Sequence, residues 1–277
     1  MNHTKKTRLL LGAVAYDPKV VTIWDGFQRW FADRDLPFDY VLYTSYERQV
    51  HGLLRGEHHV AWNSPLAWLQ AERAAAAQGR RAHAVAMRDT DRDLTSVLVV
   101  RAESEVTRPE NLEGRTVGFG ATDSPQATLI PRAHLRVPVQ ERLFDVLVGK
   151  HGDHIGGERD AARALMRGEV DAAWMLDANH LGFSRDGTLP PGATRVIDTT
   201  APFDHCNFTV LDDAPAGLVG RFIALLLAQR YDDPTVRPLM DLEGLRAWLP
   251  GRTTGYRPLA HAVTLDPESL AFTPRTP

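Results

Sequence analysis

Residues 111–125 read Asn111-Leu112-Glu113-Gly114-Arg115-Thr116-Val117-Gly118-Phe119-Gly120-Ala121-Thr122-Asp123-Ser124-Pro125, and their order decides the fold class. Residues 116–119 form a short strand that ends at Gly120. Thr122-Asp123-Ser124 then turns the chain, with Ser124 as N-cap and Pro125 at the first position of a helix running to about residue 135. The same strand, turn and helix occur upstream. Residues 58–62 are a strand, and Ser64-Pro65 opens an Ala-rich helix to residue 77.

Working outward, strands and helices alternate along the chain, which predicts sheets with parallel strands covered by helices. Residues 9–15 are an apolar first strand that runs into a turn at Tyr16-Asp17-Pro18. Val21, Trp24, Phe27 and Phe31 recur at helical spacing, and Pro37 lies past the helix end. A strand at 39–44 leads to Ser45, the cap of a helix carrying Val50, Leu53 and Leu54 and closed by Gly56. Further strands are expected at 82–87, 96–100, 170–175, 195–197 and 207–211. Helices are expected at 159–167, 218–229 and 242–248. No internal repeat of fixed period is present.

Composition excludes several classes. With 43% hydrophobic and 24% charged residues, the 277-residue chain is neither disordered nor fibrous. A net charge of −3 argues against nucleic acid as a partner. Cys206, the single cysteine, rules out an internal disulfide and a CxxC metal pair. No stretch approaches the length of a membrane span. Lys5, Lys6 and Arg8 before residues 9–15 mimic a secretory leader, yet the apolar run is short and reads as a buried strand. The chain as written is therefore expected to be cytoplasmic, and periplasmic or extracellular only if a signal has been removed.

Several segments, in order, resemble the phosphate/phosphite/phosphonate substrate-binding proteins of ABC transporters. They are residues 12–16 with Pro18; Tyr46 with Val50 and Gly56; residues 60–68; residues 96–101 with Ser104; residues 111–120; Asp123 to Pro131; and Ala164-Leu165 with residues 168–173. The resemblance implies a two-lobed periplasmic-binding-protein-like (type 2) α/β fold, each lobe a mostly parallel sheet flanked by helices, with the ligand in a cleft between the lobes. It assigns 1–95 and 208–277 to lobe 1 and 96–207 to lobe 2, with hinge segments at about 96–101 and 197–207. The implied function is capture of a small anionic solute by a monomer, with an ABC permease as partner if the chain is exported, and with no cofactor and no metal.

Candidate ligand-binding residues follow from strand ends and helix starts. On lobe 1 the resemblance points to Tyr46, and Trp62, Asn63 and Ser64 end a strand. Trp68 reads as a packing aromatic. On lobe 2 they are Thr122, Asp123, Ser124 and Gln126 at the helix start. Two departures stand out: Pro125 has no N–H to offer, and Glu158 occupies the place of a family histidine. The segment Asp204-His205-Cys206 sets a carboxylate, an imidazole and the thiol side by side, with Asp204 and Cys206 expected on one face. Glu158, Asp204 and His205 are counted among the ligand-binding residues. No catalytic residue is assigned, but Asp204, His205 and Cys206 are the candidates for an alternative: a cytosolic biosynthetic enzyme on the same scaffold, of the thiamin-precursor or menaquinone type. His58-His59 and the pair His151 and His154 lack metal-ligand spacing and read as exposed histidines.

Overall fold

A computed structural model describes residues 8–15, 18–144 and 155–270. Its elements in chain order begin with β1 (Leu9–Val14), α1 (Lys19–Ala32), β2 (Phe38–Tyr43), α2 (Tyr46–Leu54), β3 (Val60–Asn63), α3 (Pro65–Ala77) and β4 (Ala82–Arg88). They continue with β5 (Ser96–Arg101), β6 (Thr116–Phe119), α4 (Ile130–His134), β7 (Gln140–Leu143), α5 (Ile155–Met166), β8 (Ala172–Leu176), α6 (Asp177–Arg185) and β9 (Thr194–Thr199). The rest are β10 (Asn207–Leu211), α7 (Ala216–Leu227), α8 (Arg237–Glu243), β11 (Trp248–Pro250) and α9 (Arg257–Leu265).

Two compact units result. The first takes the described residues up to Arg92 together with Asp204–Thr254, and the second takes Asp93–Phe203 and the stretch from Gly255. Residues 255–270 thus belong to the second unit, which corrects the sequence assignment of the whole C-terminal stretch to lobe 1. The reason is packing: α9 is amphipathic, buries Leu259, Ala262 and Val263, and contacts α4. Strand β5 lies inside the second sheet between β8 and β9.

The first unit has a six-stranded sheet in the order β11-β4-β10-β3-β1-β2, with β1 parallel to β2 and β3, and β10 antiparallel to both β3 and β4. The second has five strands in the order β7-β6-β8-β5-β9, with β6 parallel to β7 and β8, and β5 antiparallel to β8 and β9. Both sheets are mixed rather than mostly parallel, because β10 and β5 insert against the direction of their neighbours.

The two cores are built differently. The first is aromatic, with Trp24, Phe27, Phe31, Phe38, Trp62, Phe208, Phe222 and Trp248 buried in one cluster. Ring centroids of Trp62 and Phe208 lie 4.6 Å apart and those of Phe208 and Trp248 5.2 Å, spacings at which aromatic pairs add about 0.5–1.5 kcal/mol beyond area burial. The second core is mostly aliphatic, with Phe119, Trp174 and Phe183 as its buried aromatics. Along β5, Leu98 and Val100 enter a cluster with Val117, Phe119 and Trp174, while Val97 and Val99 enter one with Ala161, Leu165 and Met175. A strand covered on both faces reads as an unbroken apolar run, which is why 96–100 shows no alternation.

Local signals explain the helix starts. The hydroxyls of Ser45 and Ser64 accept from the N–H groups of Arg48 and Ala67, each at 3.3 Å, and Pro65 sits at the first helical position. Residues 242–248 are not a helix. Leu242 and Glu243 are the last residues of α8, Gly244 closes it in the left-handed region at φ 70°, and Trp248 begins an edge strand on β4.

Candidate functional site

The segment Asp204-His205-Cys206 enters β10, and its backbone is tied to the turn after β4 by His205 N–H donating to the Asp91 carbonyl at 2.8 Å. That bond brings a carboxylate from elsewhere in the chain onto the cysteine. His205 Nδ1 lies 3.1 Å from Cys206 Sγ and 3.6 Å from Asp91 Oδ1. Asp204 instead takes a bidentate pair from Arg252, Nε to Oδ2 at 2.7 Å and Nη2 to Oδ1 at 2.6 Å. Asp204 is thus paired with Arg252, and the carboxylate grouped with the thiol and the imidazole is Asp91.

Asp91 is in turn gripped by Arg88, Nε to Oδ2 at 2.6 Å and Nη2 to Oδ1 at 2.9 Å, and Arg88 Nη1 also reaches the Glu243 carbonyl at 2.8 Å. Burial pushes the Asp91 carboxyl up, but the Arg88 guanidinium and His205 more than offset it and hold the group down at about 2. Burial raises the Glu243 carboxyl against the pull of Arg88. Burial also drives the Cys206 thiol well above its ordinary value, and the Asp91 carboxylate adds to the shift. A thiol held protonated in this way is the reverse of an activated nucleophile. Sequence reasoning missed Arg88, Asp91, Glu243 and Arg252. The signal was present: an apolar strand that ends in opposite charges three residues apart.

In the second unit the turn after β6 is closed by its own groups. Ser124 is fully buried, and its hydroxyl accepts from Ala127 N–H at 3.1 Å. Thr128 donates its hydroxyl to the Ala121 carbonyl at 2.7 Å, and Ser96 donates to the Gln126 carbonyl at 2.5 Å. Residues Pro125–Leu129 form one wide π-helical turn before α4. Gln126 Nε2 donates to Glu158 Oε1 at 3.2 Å, while Glu158 Oε2 accepts from Leu176 N–H and Asn179 Nδ2, each at 2.8 Å. Glu158 thus braces α5 against the end of β8 and the start of α6. Gln126 Oε1 has no hydrogen-bond partner among the described residues. Thr122 is exposed and Asp123 half-buried.

At the strand ends of the first unit, Trp62 is buried and packed on Phe208 and Trp248. Asn63 is buried too; it accepts from Gln49 Nε2 at 2.7 Å and donates to Thr209 Oγ1 at 2.8 Å. These two side chains belong to the interior. Tyr46 and Ser64 are half-buried, and Trp68 is a core residue as expected. His58 is buried, not exposed. Its ring lies on Gly12, where a Cβ would fall 2.5 Å from Nε2, and its Nδ1 is 3.0 Å from the Tyr43 hydroxyl. Burial lowers the His58 pKa to about 4. His59 Nδ1 accepts from Leu10 N–H at 2.9 Å, while His151 and His154 lie outside the described residues.

Residues 14–256 match the family model described as the phosphonate periplasmic substrate-binding protein of ABC transporters. The chain belongs to this family. Phosphonate-binding proteins of this kind are also its structural neighbours. PhnD1 from Prochlorococcus marinus, determined with methylphosphonate, superposes with a TM-score of 0.67 at 15% identity, covering 93% of this chain and 97% of that one. A Xanthomonas citri protein determined with chloride bound gives 0.68 at 17% identity, with coverage of 94% and 98%. The periplasmic aliphatic sulphonate binding protein SsuA from Escherichia coli gives 0.53 at 15%, with coverage of 95% and 85%. These likenesses establish the type 2 periplasmic-binding-protein fold. No curated protein sequence matches the chain. No helix among the described residues is long and apolar enough to cross a membrane.

Proposed function

We propose that this member of the phosphonate-binding family captures a small oxyanion of the phosphonate or phosphate class in the periplasm and delivers it, as a monomer, to an ABC permease. The observation that carries the reading is the family match over residues 14–256. Trp62, Asn63, Gln126 and Glu158 are committed to packing or internal bonds, and Asp204 to Arg252. Tyr46 and Ser64 in the first unit are half-buried and Thr122 in the second is exposed, so part of each residue reaches solvent. Hydroxyl and backbone donors suit an oxyanion, since bonds to a charged acceptor contribute about 1.5–3 kcal/mol each.

The test is calorimetric titration of the full chain with methylphosphonate, inorganic phosphate, sulfate and small carboxylates. A phosphonate or phosphate is expected to bind tightest, and Tyr46→Phe, Ser64→Ala and Thr122→Ala are each expected to weaken it about tenfold or more. Binding of an uncharged solute in preference to all four anions would overturn the ligand class.

A further inference from the structure

We propose that Asp91, His205 and Cys206 form a binding site for a thiophilic divalent cation of the zinc class, built within the first unit. One donor atom from each residue lies within 4.8 Å of the other two. The Sγ to Nδ1 distance is 3.1 Å and the Nδ1 to Oδ1 distance 3.6 Å. Zinc bonds of about 2.0–2.3 Å at tetrahedral angles set donor separations of about 3.3–3.6 Å, so modest side-chain adjustment closes the set. A sulfur, an imidazole nitrogen and a carboxylate oxygen suit zinc-like ions; magnesium and calcium favour all-oxygen shells.

The backbone holds these donors ready. Asp91 sits on the 3-10 turn that follows β4, His205 and Cys206 sit at the entry to β10, and the His205 N–H to Asp91 carbonyl bond joins the segments. Arg88 does not exclude the ion. A carboxylate offers about four lone-pair sites, so Asp91 can turn one oxygen to the metal while Arg88 holds the other as an outer-shell partner. Arg88 has the Glu243 carboxylate as second acceptor, Nη1 to Oε2 at 3.2 Å. Charge then closes in two neutral sets: the dication with the Asp91 carboxylate and the Cys206 thiolate, and Arg88 with ionised Glu243. Loading breaks the Cys206 S–H bond, forms a metal–sulfur bond and releases one proton to solvent. Three protein donors leave a fourth tetrahedral position for water or a solute oxygen, and His205, half-buried, marks the open side.

Because Cys206 is the single cysteine, a thiolate signal reports on this site alone. The experiment titrates the reduced, chelator-treated full chain with Co2+ and then with Zn2+. The expected result is a near-ultraviolet thiolate-to-cobalt charge-transfer band that saturates at one equivalent and is abolished by one equivalent of Zn2+. Cys206→Ser should remove the band, and His205→Ala should weaken Co2+ binding at least tenfold. Cobalt binding without the band would overturn the proposal, since it would place the ion on other histidines or carboxylates. So would no binding, or an unchanged affinity in His205→Ala. The spectrum of the unsubstituted chain decides the matter even if a variant fails to fold.

Discussion

The entry to β10 in the first unit and the turn after β6 in the second bury polar side chains in opposite ways. At β10 the interior holds formal charges: Arg88 on Asp91, Arg252 on Asp204, with Glu243, His205 and Cys206 against them. At the β6 turn it holds neutral groups, Ser96, Ser124, Gln126 and Thr128, plus one carboxylate, Glu158, that accepts from backbone and amide N–H groups. A charge network depends on every partner being present and responds to protons and cations. A neutral network closed by neighbouring residues loses only one bond at a time.

The largest difference should appear when one partner of an ion pair is removed. Arg88→Met leaves the Asp91 carboxylate, 2% exposed, without its main counter-charge. Removing one member of a buried pair costs about 3–5 kcal/mol, whereas Arg88→Met with Asp91→Leu should recover most of that loss. Urea unfolding followed by tryptophan fluorescence reads the right unit, because Trp24, Trp30, Trp62, Trp68 and Trp248 lie there and Trp174 alone in the other. A single variant that loses less than about 1 kcal/mol would mean that the pair is solvated, and the contrast would fail.

Acid should distinguish the units next. Above pH 6.5 His58 is neutral in both folded and unfolded chains. Below that, the unfolded chain binds a proton that the folded protein refuses until its pKa of about 4, so stability falls with pH across that window. The loss should be about 2 kcal/mol at pH 5 and about 3 kcal/mol by pH 4, taken from the shift in pKa. Burial lowers His59 in the same unit and His180 in the other in the same direction. Urea midpoints between pH 7.5 and 4 read by tryptophan fluorescence should show the slope, and His58→Gln should flatten it. An equal slope in that variant would assign the effect elsewhere.

The sequence made one of these regions legible and hid the other. Ser45, Ser64-Pro65 and Ser124-Pro125 announce helix starts because an N-cap and its N–H partner lie three residues apart. The strands at 116–119 and 207–211 coincide with β6 and β10 for the same local reason, a β-branched or aromatic run with sharp ends. Strand β7 was missed because Gln140–Leu143 is exposed throughout and carries no apolar pattern, and α9 because its value lies in covering a distant part of the chain. The partner of Cys206 was illegible since residues 93–203 of the second unit lie between it and Asp91, while Asp204, two residues away, is paired with Arg252 instead. The His205 N–H to Asp91 carbonyl bond, next to the β4–β10 pairing, is what makes the contact.

Within the second unit, Glu158→Gln should cost less than the ion-pair variant. The amide keeps the shape but puts an NH2 group where Leu176 N–H or Asn179 Nδ2 donates, leaving one buried donor unmatched. Such a mismatch costs about 1–3 kcal/mol. Hydrogen exchange at the Leu176 amide should speed up by about tenfold or more, since local opening falls by that energy. A loss as large as that of Arg88→Met would show that Glu158 carries a charge network of its own.

The smallest effect tests whether the β6 turn serves only its own helix. Ser124→Ala removes the oxygen that accepts from Ala127 N–H and should cost about 1 kcal/mol, while Ser124→Gly, tolerated at caps, should cost only a few tenths. Both variants delete the same hydroxyl hydrogen, which the cap bond does not use. If the turn is purely a cap, phosphonate or phosphate affinity will be the same in both and equal to that of the unsubstituted chain. If the hydroxyl also meets the anion, both variants will bind about tenfold more weakly despite their unequal stabilities. Affinity that follows stability, lower in Ser124→Ala and intact in Ser124→Gly, would mean that helix placement and not the hydroxyl governs binding. The neutral network would then influence ligand choice only through the position of Pro125–Leu129.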